Sequence, residues 1–282
     1  MRIGIIDVGG GQRGIFAYGV LDRLLEEGIT FDLGIGVSAG SANLSSFIAG
    51  QKGRNLPFYL DYVQREEYLS PRNLRKKGCM LDVRYIYGTL SNSDGENPLD
   101  YPAFTRNPME FIAVATEAET GQAVYLDKRS MQQDYYNALM ASSAIPYVCA
   151  PQEVDGTLYF DGALSDPVPL KKAFSLGCEK VVLLLSRPAG EYRSPVEDEK
   201  LAQRIEKDYP LAACALRERA DKYNDGVDLA IRETLKGRVL ILSPRQTYGV
   251  DTLSKDREAM QELYRDGYRS GALVRSFLEE PV

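Results

Sequence analysis

The first forty residues constrain the fold more than any other part of the chain, because they alternate between two kinds of apolar spacing. Residues 2–8 and 31–37 are short apolar runs of strand length, and residues 15–27 between them carry apolar side chains at helical spacing. The glycines of residues 9–14 predict a turn after the first run, since so many glycines cannot stabilise a regular element. A strand, a helix and a second strand at this density predict a parallel α/β sheet with a right-handed crossover.

Later segments extend the same sheet. Residues 110–115 and 180–185 are nearly unbroken apolar runs, and a helical pattern over 169–177 precedes the second of them. Shorter strands are expected at 122–126 and 157–160. The predicted fold class is therefore α/β, with a mostly parallel central sheet.

Residues 52–104 differ in character from the predicted core around them. Six tyrosines are mixed with prolines there, and residues 91–98 are a polar loop. Two interpretations are open: the segment caps a pocket, or it is an irregular excursion at the surface. It also contains a basic cluster, formed by Arg72, Arg75, Lys76 and Lys77. This cluster either faces anionic headgroups at a membrane surface or is a solvated loop.

The last third of the chain is denser in charged residues than the rest. Its charges lie on helical patterns over 196–220 and 255–278, with one strand-like piece at 238–242 between them. We therefore predict a core over residues 1–188 and a charged, mainly helical extension over 189–282.

The chain contains no histidine among its 282 residues, which excludes several kinds of site. Ser-His-Asp and Cys-His triads and histidine-liganded zinc sites are ruled out. A carboxylate, an amine or a phenol must therefore move the protons of any reaction. The carboxylates show no EF-hand spacing, so neither a metal site nor a cofactor is predicted. The net charge of −6 argues against a nucleic-acid partner.

Hydropathy bears on the expected location of the protein. No apolar run approaches the roughly 20 residues that a membrane span requires, and the N-terminal residues have the pattern of a strand rather than that of a signal peptide. We therefore expect a cytoplasmic protein with at most a transient, peripheral contact with a membrane surface. The oligomeric state does not follow from the sequence.

Residues 36–40 carry the strongest local signal for chemistry. They form a GxSxG pattern between a predicted strand and a predicted helix, and Gly36 and Gly40 would relieve backbone crowding where a sharp turn lifts Ser38 above the sheet. The N-terminus of the following helix would direct amide groups at a developing anion. The alternative interpretation is an ordinary tight turn.

The glycine loop at residues 9–14 follows a neighbouring parallel strand, so we expect it at the same edge of the sheet. Arg13 adds a positive charge to this loop. The loop also satisfies GxGxxG, but a dinucleotide fold needs an acidic residue at the end of the second strand, and Asp32 begins that strand instead. The loop offers bare backbone N–H groups at Gly9, Gly10 and Gly11, as an oxyanion hole requires. Each such donor stabilises a transition state by about 2.7–4 kcal/mol.

Without histidine, a nucleophilic Ser38 needs another base. A Ser-Lys dyad with SxxK spacing is not present, because Ser41 occupies the third position after Ser38. The best carboxylate is Asp161, which ends a predicted strand and precedes Gly162. A plain Asp-Gly turn is the alternative interpretation of this pair.

Four motifs in this order resemble the patatin-like phospholipase family. They span residues 3 to about 186 and comprise the glycine loop, the GxSxG motif, an Ala-Ser-x-x-x-Pro block at 141–146 and Asp161-Gly162-Ala163. The resemblance implies a three-layer α/β/α patatin-like core, a Ser38–Asp161 dyad and hydrolysis of acyl esters, typically of lipids. The charged extension lies outside these motifs.

The sequence therefore predicts a serine acyl-ester hydrolase of phospholipase A or lysophospholipase type, with Ser38 as nucleophile, Asp161 as base and the glycine loop as oxyanion hole. A carboxylate is a weaker base than imidazole, which favours esters over amides as substrates. The alternative is a lipid- or acyl-binding regulatory protein on the same fold with little turnover.

Overall fold

A mixed eight-stranded sheet forms the centre of the computed structural model, which describes residues 1–280 apart from the side chain of Lys77. The strands follow one another along the chain as β1 Ile3–Asp7, β2 Leu33–Val37, β3 Glu110–Glu117, β4 Ala123–Asp127, β5 Gln152–Val154, β6 Thr157–Asp161, β7 Lys180–Leu184 and β8 Val239–Leu242. Their spatial order is β5-β6-β3-β2-β1-β7-β8, with β4 paired to β3. Strands β1, β2, β3, β7 and β8 are parallel, whereas β4 and β6 run antiparallel to β3. The predicted mostly parallel sheet is confirmed.

The α-helices of residues 1–280 lie between and around these strands. They are α1 Ile15–Glu26, α2 Ala39–Ile48, α3 Leu56–Leu60, α4 Pro71–Lys77, α5 Tyr101–Arg106, α6 Asn137–Ser142, α7 Leu170–Ser175, α8 Val196–Ile205, α9 Pro210–Thr234, α10 Arg257–Ser270 and α11 Leu273–Glu279.

The sheet is covered by helices on both faces. Because successive side chains of a strand point to opposite sides, neighbouring residues of β1 enter different cores. Ile5 packs in the core that also contains residues of α1, α2, α10 and α11, whereas Ile6 packs with residues of α7 and α9. The fold is therefore the three-layer α/β/α arrangement that the sequence resemblance implied.

Two continuous helices predicted in the last third of the chain are each broken in the structure. The pattern over 196–220 predicted one helix, but α8 ends at Ile205 and α9 begins at Pro210. Proline fits the first turn of a helix but not its interior, where its ring would clash with the preceding turn. The pattern over 255–278 divides into α10 and α11 at Gly271, where a side chain would press on Arg23 of α1. Both continuous-helix predictions were wrong.

The last third of the chain shares the sheet and the core with the rest. Strand β8 pairs in parallel with β7, and α10 packs so closely on α1 that a side chain at Gly267 would overlap the carbonyl group of Phe16. The buried Lys180 of β7 donates hydrogen bonds to the carbonyl oxygens of Phe277 and Glu280. The division of the chain at residues 188 and 189 stays a prediction.

The tyrosine-rich segment 52–104 folds into α3, α4, a π-helix over Tyr85–Leu90 and α5. Several of its side chains join the same core as α1 and α2. In the basic cluster, the exposed Arg72 pairs with Glu66 at 2.8 Å, and Lys77 lies outside the described side chains. Contact of this cluster with a membrane surface stays a prediction.

Strand register brings the two predicted catalytic residues together. Val37, which precedes Ser38, pairs with Val114 of β3, and Asp161 pairs with Ala115, one residue further along β3. Because β1 and β2 are parallel, the glycine loop after β1 opens at this same edge of the sheet.

Candidate active site

Ser38 lies on a tight turn between β2 and α2 and has a backbone φ of 56° and ψ of −130°. A positive φ is uncommon for a residue with a side chain and marks local strain. Gly36 and Gly40 make the turn feasible, because a side chain at Gly36 would overlap Ser41 and one at Gly40 would overlap Asp7. The Ser38 side chain is left at the bottom of a cavity, with the residue only 6% exposed.

Asp161 stands at the end of β6 and is 3% exposed. Its Oδ1 accepts a hydrogen bond from the Ala163 N–H at 2.8 Å, and its carboxylate lies near the Ser38 hydroxyl. Burial raises the pKa of Asp161 from 3.8 to about 6, and this rise is opposed by the Ser38 hydroxyl, by the Ala163 N–H and by the positive charge of Arg219. The site therefore contains a carboxylate whose pKa is closer to neutrality than that of an ordinary aspartate, beside a strained serine.

The Ala-Ser-x-x-x-Pro block supports both residues. The buried Ser142 hydroxyl accepts a hydrogen bond from the Ser38 N–H at 3.0 Å. The carbonyl oxygen of Ala144 accepts one from the Asp161 N–H at 2.9 Å. The sequence indicated this block only through resemblance, and the structure shows that it fixes the backbones of the serine and the aspartate relative to each other.

The glycine loop has three consecutive residues with positive φ, namely 67° at Gly9, 111° at Gly10 and 60° at Gly11. The Gly9 N–H donates to Asp7 Oδ1 at 2.9 Å, so this amide is occupied and Gly9 does not serve as an oxyanion donor in this arrangement. Within residues 1–280 the N–H groups of Gly10 and Gly11 form no hydrogen bond. Both glycines line the same cavity as Ser38. Gly10 and Gly11 therefore stay predicted oxyanion donors, whereas the Gly9 amide is already hydrogen-bonded to Asp7.

Asp7 is a site residue that the sequence analysis did not identify. Besides holding Gly9, its Oδ2 accepts a hydrogen bond from Asn43 Nδ2 at 2.9 Å, and Asn43 also donates to the Gly14 carbonyl at 3.1 Å. The Asn43 side-chain oxygen accepts from the Tyr59 hydroxyl at 2.9 Å. Burial raises the pKa of Asp7 to about 6. A carboxylate at the end of a buried strand was a visible signal for such a role.

Arg13 is 8% exposed and lies beside the glycine loop. Its Nη2 donates to Thr252 Oγ1 at 3.1 Å, while its Nε has no hydrogen-bond partner. Burial lowers the pKa of Arg13 to about 10, and the positive charges of Arg187 and Arg193 lower it further. The guanidinium group therefore remains protonated at neutral pH.

Two cavities meet at Ser38. The narrower one, about 70 Å³, is lined mainly by apolar groups from segment 52–104. The wider one, about 420 Å³, contains Asp161, the loop glycines and several arginines. Ser38, Gly11, Ile145, Thr252 and Leu253 line both. The apolar wall of the narrower cavity includes Phe58, Tyr68, Leu81, Val83, Ile86 and Leu253.

Ser38 and Asp161 both lie in a segment of the chain that matches a known protein family. A family model described as patatin-like phospholipase matches residues 8–174. The chain belongs to the patatin-like phospholipase family. A second model, described as a domain of unknown function (DUF6363), matches residues 209–280.

The chain is also similar to several relatives in sequence and to one solved structure in fold. The chain is 29% identical over 197 residues to the uncharacterized protein YjjU of Escherichia coli, a match that covers 69% of this chain and 54% of that protein. It is 24% identical over 184 residues to lysophospholipase NTE1 of Cryptococcus neoformans, covering 65% of this chain and 11% of the relative. The chain thus matches only about half or less of the length of these relatives. The fold resembles VipD from Legionella pneumophila with a TM-score of 0.51 and 14% identity, covering 98% of this chain and 66% of that one.

Two kinds of feature are absent from the described residues. In residues 1–280 no helix is both long and apolar enough to cross a membrane. The same part of the chain contains no group of three or more cysteine, aspartate and glutamate side chains that could hold a metal ion.

Proposed function

We propose that the protein hydrolyses acyl esters of lipids through a Ser38–Asp161 dyad. The observation that carries this proposal is the position of the Ser38 hydroxyl, on a strained backbone turn, beside a buried carboxylate whose pKa is raised to about 6. At neutral pH such a carboxylate is ionised, yet it is basic enough to accept a proton as the serine attacks. Membership of the patatin-like phospholipase family supports the same chemistry.

The reaction follows from the positions of these groups. Ser38 Oγ attacks the ester carbonyl carbon while Asp161 takes the hydroxyl proton. The N–H groups of Gly10 and Gly11 donate to the resulting oxyanion, and the protonated Arg13 adds positive charge beside the loop. Asp161 then protonates the departing alcohol, and water cleaves the acyl-serine by the reverse sequence of proton transfers.

The narrower cavity supports a lipid substrate. Its apolar wall begins at Ser38 and offers burial to a hydrocarbon chain, which gains about 0.8 kcal/mol for each methylene group removed from water. Among the relatives, NTE1 is named a lysophospholipase. We therefore assign the acyl chain to this cavity.

The test measures hydrolysis of p-nitrophenyl butyrate and labelling by a fluorophosphonate probe. Ser38→Ala should abolish both, and Asp161→Asn should lower kcat by at least about 10³-fold. Ser175→Ala, which alters an exposed serine of α7, is the matched control and should behave as the wild type. Activity that survives both site substitutions would refute the dyad. A wild-type protein that binds acyl chains but is neither active nor labelled would instead be a lipid-binding regulator.

A further inference from the structure

The wider cavity beside Ser38 is unusually rich in guanidinium groups. Four arginines line it, together with the carboxylates of Asp161, Glu197 and Asp251. One arginine comes from the glycine loop, and three come from chain segments beyond residue 174, where the match to the phospholipase family model ends. The four are Arg13, Arg187, Arg193 and Arg219.

Ion pairing divides these arginines into two groups. Arg193 and Arg219 both pair with the buried Asp198, the former at 2.8 Å. In the described part of the chain, Arg13 and Arg187 form no ion pair with any carboxylate. Arg13 is more than nine-tenths buried, and its Nε has no hydrogen-bond partner. Two positive charges next to Ser38 therefore have no carboxylate in direct contact, and only the more distant Asp251 acts on Arg13 with an opposite charge.

The unpaired charges lie close to one another. Tyr223 of α9 lines the same cavity. Burial raises the pKa of its hydroxyl, and the positive charges of Arg187, Arg193 and Arg13 oppose this rise. Arg13 in turn is repelled by Arg187 and Arg193. Like charges held together in a partly buried cavity raise the energy of the empty site, and an anion that binds between them relieves this repulsion.

We propose that this cavity is an anion subsite, formed by Arg13, Arg187 and Tyr223, that binds a phosphate monoester on the alcohol side of the scissile ester. This inference rests on the proposed hydrolase function. Since the acyl chain occupies the apolar cavity, the alcohol extends into the other cavity that meets it at Ser38. The substrate class is therefore an acyl ester whose alcohol carries a terminal phosphate, as an acylglycerol phosphate does.

Charge balance favours a phosphate monoester over other headgroups. Two arginines without an ion-pair partner can each donate to a phosphate monoester, which carries nearly two negative charges at neutral pH. Guanidinium groups also donate pairs of hydrogen bonds that fit phosphate oxygens. A quaternary ammonium headgroup, by contrast, is held by several aromatic faces, and it would be repelled by Arg13 and Arg187, which have no ion-pair partner.

The kinetic test compares 1-acylglycerol 3-phosphate with 1-acylglycerol and with the phosphocholine ester, all with the same acyl chain. The wild type should show a kcat/KM at least about tenfold higher for the phosphate monoester than for either of the others. Arg187→Gln should lower the ratio of kcat/KM between phosphate monoester and neutral ester by about tenfold, mainly through KM, and Tyr223→Phe should lower it by a smaller factor. Arg232→Gln, which alters an exposed arginine on the same helix as Tyr223, should leave the ratio unchanged.

Several outcomes would overturn the assignment. An Arg187→Gln variant with an unchanged ratio, or a wild type that prefers the phosphocholine ester, would show that the arginines do not select the headgroup. Calorimetric titration with inorganic phosphate and glycerol 3-phosphate tests the subsite without turnover. Binding of inorganic phosphate with no preference for the phosphate ester would assign the cavity to free phosphate instead. Phosphate binding that is lost in Arg187→Gln, in a protein that cleaves no ester at all, would retain the anion site and refute the hydrolase function.

Discussion

Replacing Asp161 by asparagine should stabilise the protein while removing its activity. Burial raises the pKa of Asp161 to about 6 from an ordinary value of 3.8, so its negative charge opposes folding at neutral pH. The difference between these two pKa values corresponds to about 3 kcal/mol. Asparagine keeps an oxygen to accept the Ala163 N–H but carries no charge. The free energy of unfolding of Asp161→Asn should therefore exceed that of the wild type by up to about 3 kcal/mol at pH 7.5.

Lowering the pH should remove most of this difference. The folded wild type binds the Asp161 proton more tightly than the unfolded chain does, so this group stabilises the fold fully below pH 3.8, and the effect is lost as the pH rises through about 6. The variant has no such titration. Its advantage should therefore fall from about 3 kcal/mol at pH 7.5 to about 1 kcal/mol at pH 4.5.

The assay is urea denaturation of both proteins at the two pH values. Asp155→Asn serves as the control, because Asp155 is exposed and its positive φ of 50° suits asparagine. Asp7 titrates alike in the wild type and in both variants, so it does not affect the comparison. An Asp161→Asn variant that is no more stable at pH 7.5, or that gains equally at both pH values, would refute the reasoning.

Three further results are expected. For the wild type, kcat/KM on a neutral ester should rise with pH through an apparent pKa of about 6, because Asp161 must be ionised to accept the proton, and a flat profile between pH 5 and 8 would exclude it as the base. Gly9→Ala should abolish fluorophosphonate labelling, since the new methyl group would overlap a backbone carbonyl of β2, whereas Gly28→Ala, with a similar φ but open space around it, should cost only about 1 kcal/mol and keep the label. Lys180→Met should accelerate amide hydrogen exchange in α11, because it removes the donor to the carbonyl groups of Phe277 in this helix and of Glu280 just after it. Exchange equal to that of the wild type would show that these two hydrogen bonds are dispensable.

The elements that sequence reasoning predicted correctly are those defined by local pattern. Strands β1, β2, β3 and β7 are short apolar runs bounded by turn residues, and the turn at Ser38 is visible because two glycines flank it. The approach of Asp161 to Ser38 is not local. It depends on the pairing of β6 with β3 beyond the end of β2, and only the order of the motifs indicated it.

Other features depend on packing between distant parts of the chain and have no local signal. The anion subsite exists because β8 adds to the sheet beside β7 and the following segment brings Thr252 against the glycine loop. Pro210 was a visible signal for a helix start, but the charged helical periodicity on both sides of it predicted one continuous helix.

The position of β1 in the sheet has a consequence for the order in which the molecule assembles. This strand precedes the other seven strands in the sequence, yet it lies between β2 and β7, and the pairing of Ile3 with Lys180 joins residues that are far apart along the chain. Contacts so far apart in sequence slow folding, because a long loop must close before they form. Strand β1 therefore keeps an open edge during synthesis until β7 has emerged. Residues 180–253 are needed both to complete the sheet and to close the walls of the cavities around Ser38.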